Sequence, residues 1–175
     1  DVKDEYEILI SYAEIELDLF QNNIEIPISN KPIISPLSPG SRTYYKYDYL
    51  GFIPNKDSVK IHKIKITPRF KNEPLLKGIL FIEEDTYFIE SLELELSGPI
   101  QSDFKIKNFH IIQNYQKKEN QQLLKRKIID YTIKEDIYKI LGNTVSIYND
   151  FKFNQEIPKY FKKNQIKNFQ DSSFL

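Results

Sequence analysis

Residues Ser58 to Ser97, SVKIHKIKITPRFKNEPLLKGILFIEEDTYFIESLELELS, decide the fold. Val59 and Ile61 alternate with Lys60 and His62, and Ile64 and Ile66 alternate with Lys63 and Lys65. A period of two is the mark of a β-strand with one buried face. The phase slips once, between Ile61 and Ile64, and a β-bulge near His62-Lys63 is expected to absorb the slip and keep both apolar pairs on one face. After the turn residues Pro68 to Pro74, the run Gly78-Ile79-Leu80-Phe81-Ile82 is apolar on both faces, which predicts a strand covered on both sides. Glu83 to Thr86 makes a hairpin-like break. Leu92, Leu94 and Leu96 then alternate with Ser91, Glu93 and Glu95, giving a third strand with one wet face.

Working outward towards the N-terminus, Thr43 to Ile53 reads as another strand. Its five aromatics, Tyr44, Tyr45, Tyr47, Tyr49 and Phe52, suggest packing on both faces with the phenols at the rim. Before it, Ile24 to Arg42 holds Pro27, Pro32, Pro36, Pro39 and Gly40, a density that a central ladder does not tolerate, so residues 24–42 form an ordered loop or edge segment. Residues Asp4 to Asn23 fit two patterns, which leaves 13–23 ambiguous between strand and helix. On a helix, Ile8, Leu9, Tyr12, Ala13, Leu19 and Phe20 share a broad face, whereas Glu14 to Leu19 alternates without a fault on a strand. The expectation is a strand from Ala13 to Leu19 and a short helical turn through Asn22.

Towards the C-terminus, Asp103 to Tyr115 is a strand in which Phe104 and Ile106 change phase against Phe109 and Ile111, which asks for a bulge near Asn108. Tyr115 to Gln122 is a polar turn. Leu123 to Ile133 resumes the sheet, and Ile137 to Ile140 with Thr144 to Phe153 completes a hairpin around Leu141-Gly142-Asn143. Eight or nine short strands at hairpin spacing define a mainly β chain. They form a large twisted antiparallel sheet, a half-barrel-like meander with at most one or two short helices near the N-terminus. Residues 1–154 form a single domain, and the polar stretch 155–175 is a linker towards a downstream segment.

Composition narrows the function. A chain of 175 residues buries enough surface for one ordinary core without metals or disulfides. Twenty-five basic and 25 acidic side chains cancel, so no global field recruits nucleic acid or an anionic membrane. Cysteine is absent, which removes disulfides, thiolate catalysis and Cys-based zinc sites. No run reaches the roughly 20 apolar residues of a membrane helix. The start at Asp1 and the end at Ser172-Ser173-Phe174-Leu175, in mid-pattern, suggest an excerpt of a longer product.

Ile61 to Pro74, with Gly78 to Ile82 and Ile89 to Leu94, resembles a family of Bacteroidota outer-membrane proteins of unknown function. Ile34-Ser35-Pro36-Leu37-Ser38, Tyr44 to Tyr47 and Tyr148 to Asn154 support the likeness, which covers roughly Ala13 to the end. In that family a carboxypeptidase-regulatory-like β-sandwich precedes a periplasmic β-rich domain, and an outer-membrane β-barrel follows it. The resemblance implies that this chain is the periplasmic β-rich domain, located at the periplasmic face of the outer membrane. Its implied partners are the neighbouring domains and the barrel of the same parent chain, with other outer-membrane proteins beyond. The family usually carries Trp near Tyr87-Phe88, and this chain has no Trp, so the packing there is adapted. The resemblance brings no catalytic residues.

The residues themselves offer few sites. His62 and His110 are the two histidines, each within an expected strand, and no spacing supplies the three or four ligands of a metal site. Glu93 and Glu95 stand roughly 7 Å apart by strand rise, a separation open to paired-carboxylate chemistry, although a solvated sheet face explains them more simply. No Gly-x-Ser-x-Gly elbow and no glycine-rich phosphate loop occurs. Tyr44, Tyr45, Tyr47 and Tyr49, with Tyr87 and Phe88, could form an aromatic binding surface for a sugar or peptide, against the plainer role of core and rim packing. No catalytic residue, cofactor or metal is expected, and no nucleic-acid partner. The function expected is a non-enzymatic interaction or scaffold module, in an envelope-biogenesis or transport assembly. The alternative is a carrier or receptor domain that binds a hydrophobic ligand on a concave sheet.

Overall fold

The computed structural model describes residues 17–26, 29, 31–55, 57–100, 105–119, 121–135, 138–151 and 153. Two short strands, β1 (Asn23–Ile24) and β2 (Ile33–Ile34), pair with each other. A 3-10 turn at Ser41–Thr43 leads into β3 (Tyr45–Pro54), β4 (Lys60–Pro68), β5 (Leu75–Glu83), β6 (Ile89–Ser97), β7 (Lys105–Lys118), β8 (Gln121–Glu135) and β9 (Tyr138–Ile147). These seven strands form one antiparallel meander in chain order, β3 to β9, and the sheet does not close into a barrel.

One face of the sheet carries the core. Cross-strand neighbours Ile64, Leu80 and Leu92 stand in one row, Leu94, Ile111 and Ile129 in the next, and Phe109 faces Tyr131 beyond them. Over this face lies the segment from Leu17 to Ile33, whose Leu17, Leu19, Ile24, Ile26 and Ile33 join the same cluster. None of the five is more than 4% exposed. Burying each such side chain contributes about 1.5–3 kcal/mol, so this segment is part of the fold. Among the described residues of 24–42, Ile24 pairs with Ile33, Ile34 pairs with Asn23, and a 3-10 turn begins at Ser41. Residues 13–16 lie outside the described residues; from Leu17 to Asn22 the chain makes a turn and bends with no helix.

Several sequence expectations need correction. The bulge expected at His62-Lys63 is not on β4, whose ladder with β5 runs unbroken from Ile61↔Glu83 to Ile66↔Gly78. By that register Ile61 lies on the opposite side from Ile64 and Ile66, and although buried it sits outside the core cluster. The irregularity is on β3, between Tyr49 and Phe52, where Gly51 takes φ 96°. The strand Gly78 to Ile82 is covered on one side: Leu80 is buried, while Ile79 and Phe81 are partly exposed on the other face. Nor is the aromatic strand packed on both faces: Tyr45, Tyr47, Tyr49 and Phe52 share the side of Ile64 and Ile66, with Tyr49 and Phe52 exposed there, and Lys46 and Asp48 occupy the other side.

The polar turn expected over Tyr115 to Gln122 shrinks, because β7 continues to Lys118 and β8 starts at Gln121. The hairpin expected around Leu141-Gly142-Asn143 is absent. Those residues are the middle of one continuous strand, with Gly142 opposite Tyr131 and Asn143 opposite Asp130. A Cβ on Gly142 would collide with the ring of Tyr131, so glycine there makes room for a ring and does not mark a turn. The bulge expected near Asn108 is present, between Ile106 and Asn108, and brings Ile106, Phe109 and Ile111 to the core side. A second bulge, between Ile89 and Ser91, does the same for Ile89 and Leu92. The stretch 155–175 lies outside the described residues.

Candidate functional site

The tyrosines of β3 divide by their partners. Tyr45 is wholly buried; its hydroxyl donates to the Ile34 carbonyl at 2.6 Å and accepts the Leu76 N–H at 3.2 Å. Tyr47 is half-buried and donates to the Pro36 carbonyl at 2.6 Å. Burial pushes both phenols above the usual tyrosine pKa, because an ionised ring oxygen there would lose its hydration. Alternate residues of one strand thus hold the covering segment to the core face. From β7, Gln113 reaches the same segment, its Nε2 donating to the Leu17 carbonyl at 2.9 Å, while Tyr115 donates to Gln113 Oε1 at 2.6 Å. Ser35 completes the fastening by donating to the Leu19 carbonyl.

Of the other residues proposed as a binding surface, Tyr44 is half-buried and packs edge-on to Phe70 at 6.1 Å. Tyr49 is exposed, and with Phe52 it flanks His62 at ring distances of 5.6 and 6.4 Å. Tyr87 is 82% exposed at the β5–β6 turn, and Phe88 lies under Lys117, whose Nζ is 4.7 Å from the ring centroid. Phe88 also lines a cleft of about 260 Å³ with Ile61, Glu83 and Gln122. Of the six, Tyr45 and Tyr47 are fastenings, Tyr44 packs on Phe70, Tyr49 stands with Phe52 beside His62, and Tyr87 and Phe88 belong to a separate turn. Gln113 and Ser35 escaped the sequence reading, for a lone polar residue in an apolar pattern does not announce what it bonds.

The outer face carries an ordered polar row. Register places Lys77 opposite Glu95, Glu95 opposite His110, His110 opposite Asp130 and Asp130 opposite Asn143. Lys77 Nζ meets Glu95 at 2.9 Å, His110 Nε2 meets Glu93 at 3.1 Å, His110 Nδ1 lies 3.7 Å from Asp130, and Asn143 donates to Asp130. A concavity of about 780 Å³ opens at this row. It forms where β6 and β7 part, since their ladder ends at Glu95↔His110 although β6 runs on to Ser97.

A histidine works as a general base when one ring nitrogen faces a nucleophile and the other is oriented by a partner. In His110 both nitrogens face carboxylates. Glu93 and Glu95, the pair with a spacing suited to hydrolysis, are held by His110 and Lys77 respectively. Such solvated pairs fix side-chain directions and contribute about 0–1 kcal/mol each. Among the described residues, no group of three or more His, Asp and Glu is arranged to hold a metal ion.

The architecture defines a class: an open antiparallel sheet closed on one face by its own N-terminal segment and patterned with paired charges on the other. Residues 4–151 match the family of unknown function DUF5686, and the chain belongs to that family. No curated protein and no solved structure matches it.

Proposed function

We propose that this domain is a non-enzymatic interaction module at the periplasmic face of the outer membrane. In this reading it belongs to a Bacteroidota protein whose carboxypeptidase-regulatory-like domain precedes it and whose β-barrel follows it. The resemblance of Ile61 to Pro74 and its companion stretches supports the location, and the surface chemistry supports the role. The observation that carries the reading is the contrast between the two faces. On the core side, the ground that a hydrophobic cargo would need is taken by Leu19, Ile24, Ile26 and Ile33, which favours display over carriage. On the outer side, His110, Glu93, Glu95 and Asp130 are partnered with one another or with Lys77 and Asn143. What is left to present, among the described residues, is a broad sheet whose β9 edge has no partner strand, suited to contact with neighbouring domains or subunits in an envelope-biogenesis or transport assembly.

The test is affinity isolation of the full-length parent from membranes, followed by identification of what accompanies it. Outer-membrane proteins are expected in the eluate, and the parent sequence is expected to continue into alternating strands of about 10 residues with aromatic girdles. Recovery of the parent from the cytosol, or a downstream soluble enzyme domain, would overturn the reading.

A further inference from the structure

The two edge strands of the sheet differ in how they meet solvent. Arg69 N–H donates to the Tyr44 carbonyl at 2.8 Å, which fixes the alternation along β3: Tyr44, Lys46 and Asp48 turn their backbone groups towards β4, and Tyr45, Tyr47 and Tyr49 turn theirs outward. That outward edge is blocked. Arg69 Nε donates to the Tyr45 carbonyl at 3.0 Å, the strand bulges at Leu50-Gly51, and it ends at Pro54. These are the devices by which sheets keep an edge from recruiting another strand.

β9 has none of them. Over Tyr138–Ile147 it contains no proline, its ladder with β8 has no register shift, and Lys139 is its one charged side chain. The Tyr148 N–H donates to the Lys125 carbonyl at 3.0 Å, so the even-numbered residues of β9 face β8. The backbone groups of Lys139, Leu141, Asn143, Val145 and Ile147 therefore point away from the sheet. The side chains of the same residues lie on the outer face, where Leu141, Val145 and Ile147 are 69%, 48% and 64% exposed. Among the described residues these donors and acceptors have no partner strand, and such a row bordered by apolar side chains is a template for one more antiparallel strand.

We propose that β9 pairs with β9 of a second copy of this chain, joining the two sheets across a two-fold axis at Asn143. Among symmetric registers that use the outward residues, this one engages Lys139 to Ile147 in full. It sets Asn143 against the partner's Asn143, Leu141 against the partner's Val145, and Lys139 against the partner's Ile147. Apolar residues meet apolar residues beside the axis, and no like charges face each other. A two-fold contact must be self-complementary, and this sequence is. A single strand junction covers less surface than a typical stable interface, so the dimer is expected to form in the micromolar range. The inference goes beyond the module's place in the cell and does not need it.

The experiment is light scattering of the 175-residue chain across a concentration series from micromolar to millimolar, with three variants. The wild-type chain is expected to shift from monomer to dimer. Because the sequence has no cysteine, Asn143→Cys creates a single thiol, and the proposed register brings the two copies within disulfide reach. It should give a cross-linked dimer on oxidation, whereas Lys65→Cys, an exposed position on β4, should not. Val145→Pro removes an outward N–H and leaves the β8 ladder intact, so it should yield a folded monomer by circular dichroism. Should that variant fold poorly, Leu141→Lys with Val145→Lys sets lysines against lysines at exposed positions and should abolish the dimer equally. A wild-type chain that stays monomeric throughout, a dimer undiminished in the folded variants, or an Asn143→Cys dimer that fails to cross-link each overturns the proposal.

Discussion

The core face and the outer face are made from alternate residues of the same seven strands, yet they treat polar groups by opposite rules. On the core side polar atoms are held by fixed partners, as Tyr45 spans Ile34 and Leu76 and Gln113 holds Leu17, and among the described residues Gln122 Nε2 is the buried side-chain atom left without one. On the outer side charges sit in solvent and are matched row by row, as from Lys77 to Asn143. The difference follows from hydration. An unpaired polar group costs little where water replaces the missing partner and about 1–3 kcal/mol where it does not. Substitutions one residue apart should therefore differ severalfold in effect.

The sharpest version lies within β6. Leu92 is 1% exposed in the centre of the core, and Glu93 beside it points to solvent. Leu92→Ala is expected to lower unfolding free energy by about 2–5 kcal/mol, and Glu93→Ala by about 0.5 kcal/mol or less, in urea titrations of the two variants. Equal losses would show that the outer face is covered in solution. Next in size comes Tyr45→Phe, which leaves the Leu76 N–H and the Ile34 carbonyl without their shared hydroxyl. A loss of about 1–3 kcal/mol is expected, against little change for exposed Tyr49→Phe. If the two cost the same, the N-terminal segment is not fastened as described.

Alkaline pH sharpens the comparison without mutation. Tyr45 and Tyr115 are raised above the ordinary tyrosine range chiefly by burial, helped at Tyr115 by the Asp18 charge, and burial also raises Tyr131. The unfolded chain ionises these phenols near pH 10, earlier than the folded chain does. Their contribution is therefore complete below about pH 10 and is lost as pH climbs towards the raised values. Urea midpoints should fall steeply above that pH, and the fall should be shallower in Tyr45→Phe and Tyr115→Phe. An identical slope in wild type and both variants would remove the phenols as its cause.

How far the sequence foretold these surfaces depended on whether a local pattern had one physical solution. Alternation in Leu92-Glu93-Leu94-Glu95 has one, and the strand appears with leucines in and glutamates out. A phase slip has two: the chain can bulge, as it does between Ile106 and Asn108, or one residue can face the other way, as Ile61 does. Nothing local separates these outcomes, since the register with neighbouring strands decides. Gly142-Asn143 misleads for a related reason. Gly-Asn ordinarily marks a turn, but here the missing side chain is filled by Tyr131, a residue eleven positions earlier in the chain. The outer polar row was visible only as scattered charges, because its order comes from five strands in register.

The smallest expected effect belongs to that row. His110 is the one member that meets two carboxylates, Glu93 and Asp130, so it is where the row would matter most if charge pairing held the outer face together. All three groups are substantially solvated, and exposed ion pairs are screened by salt and offset by side-chain entropy. His110→Gln is therefore expected to change urea stability by about 0.5 kcal/mol or less at low salt, and by nothing measurable at high salt. A larger loss that persists in high salt would mean that His110 is shielded from water in solution. The open face would then have a covering partner other than the edge-to-edge β9 pairing, which extends the sheet without covering His110, and the same loss is expected in the Val145→Pro monomer.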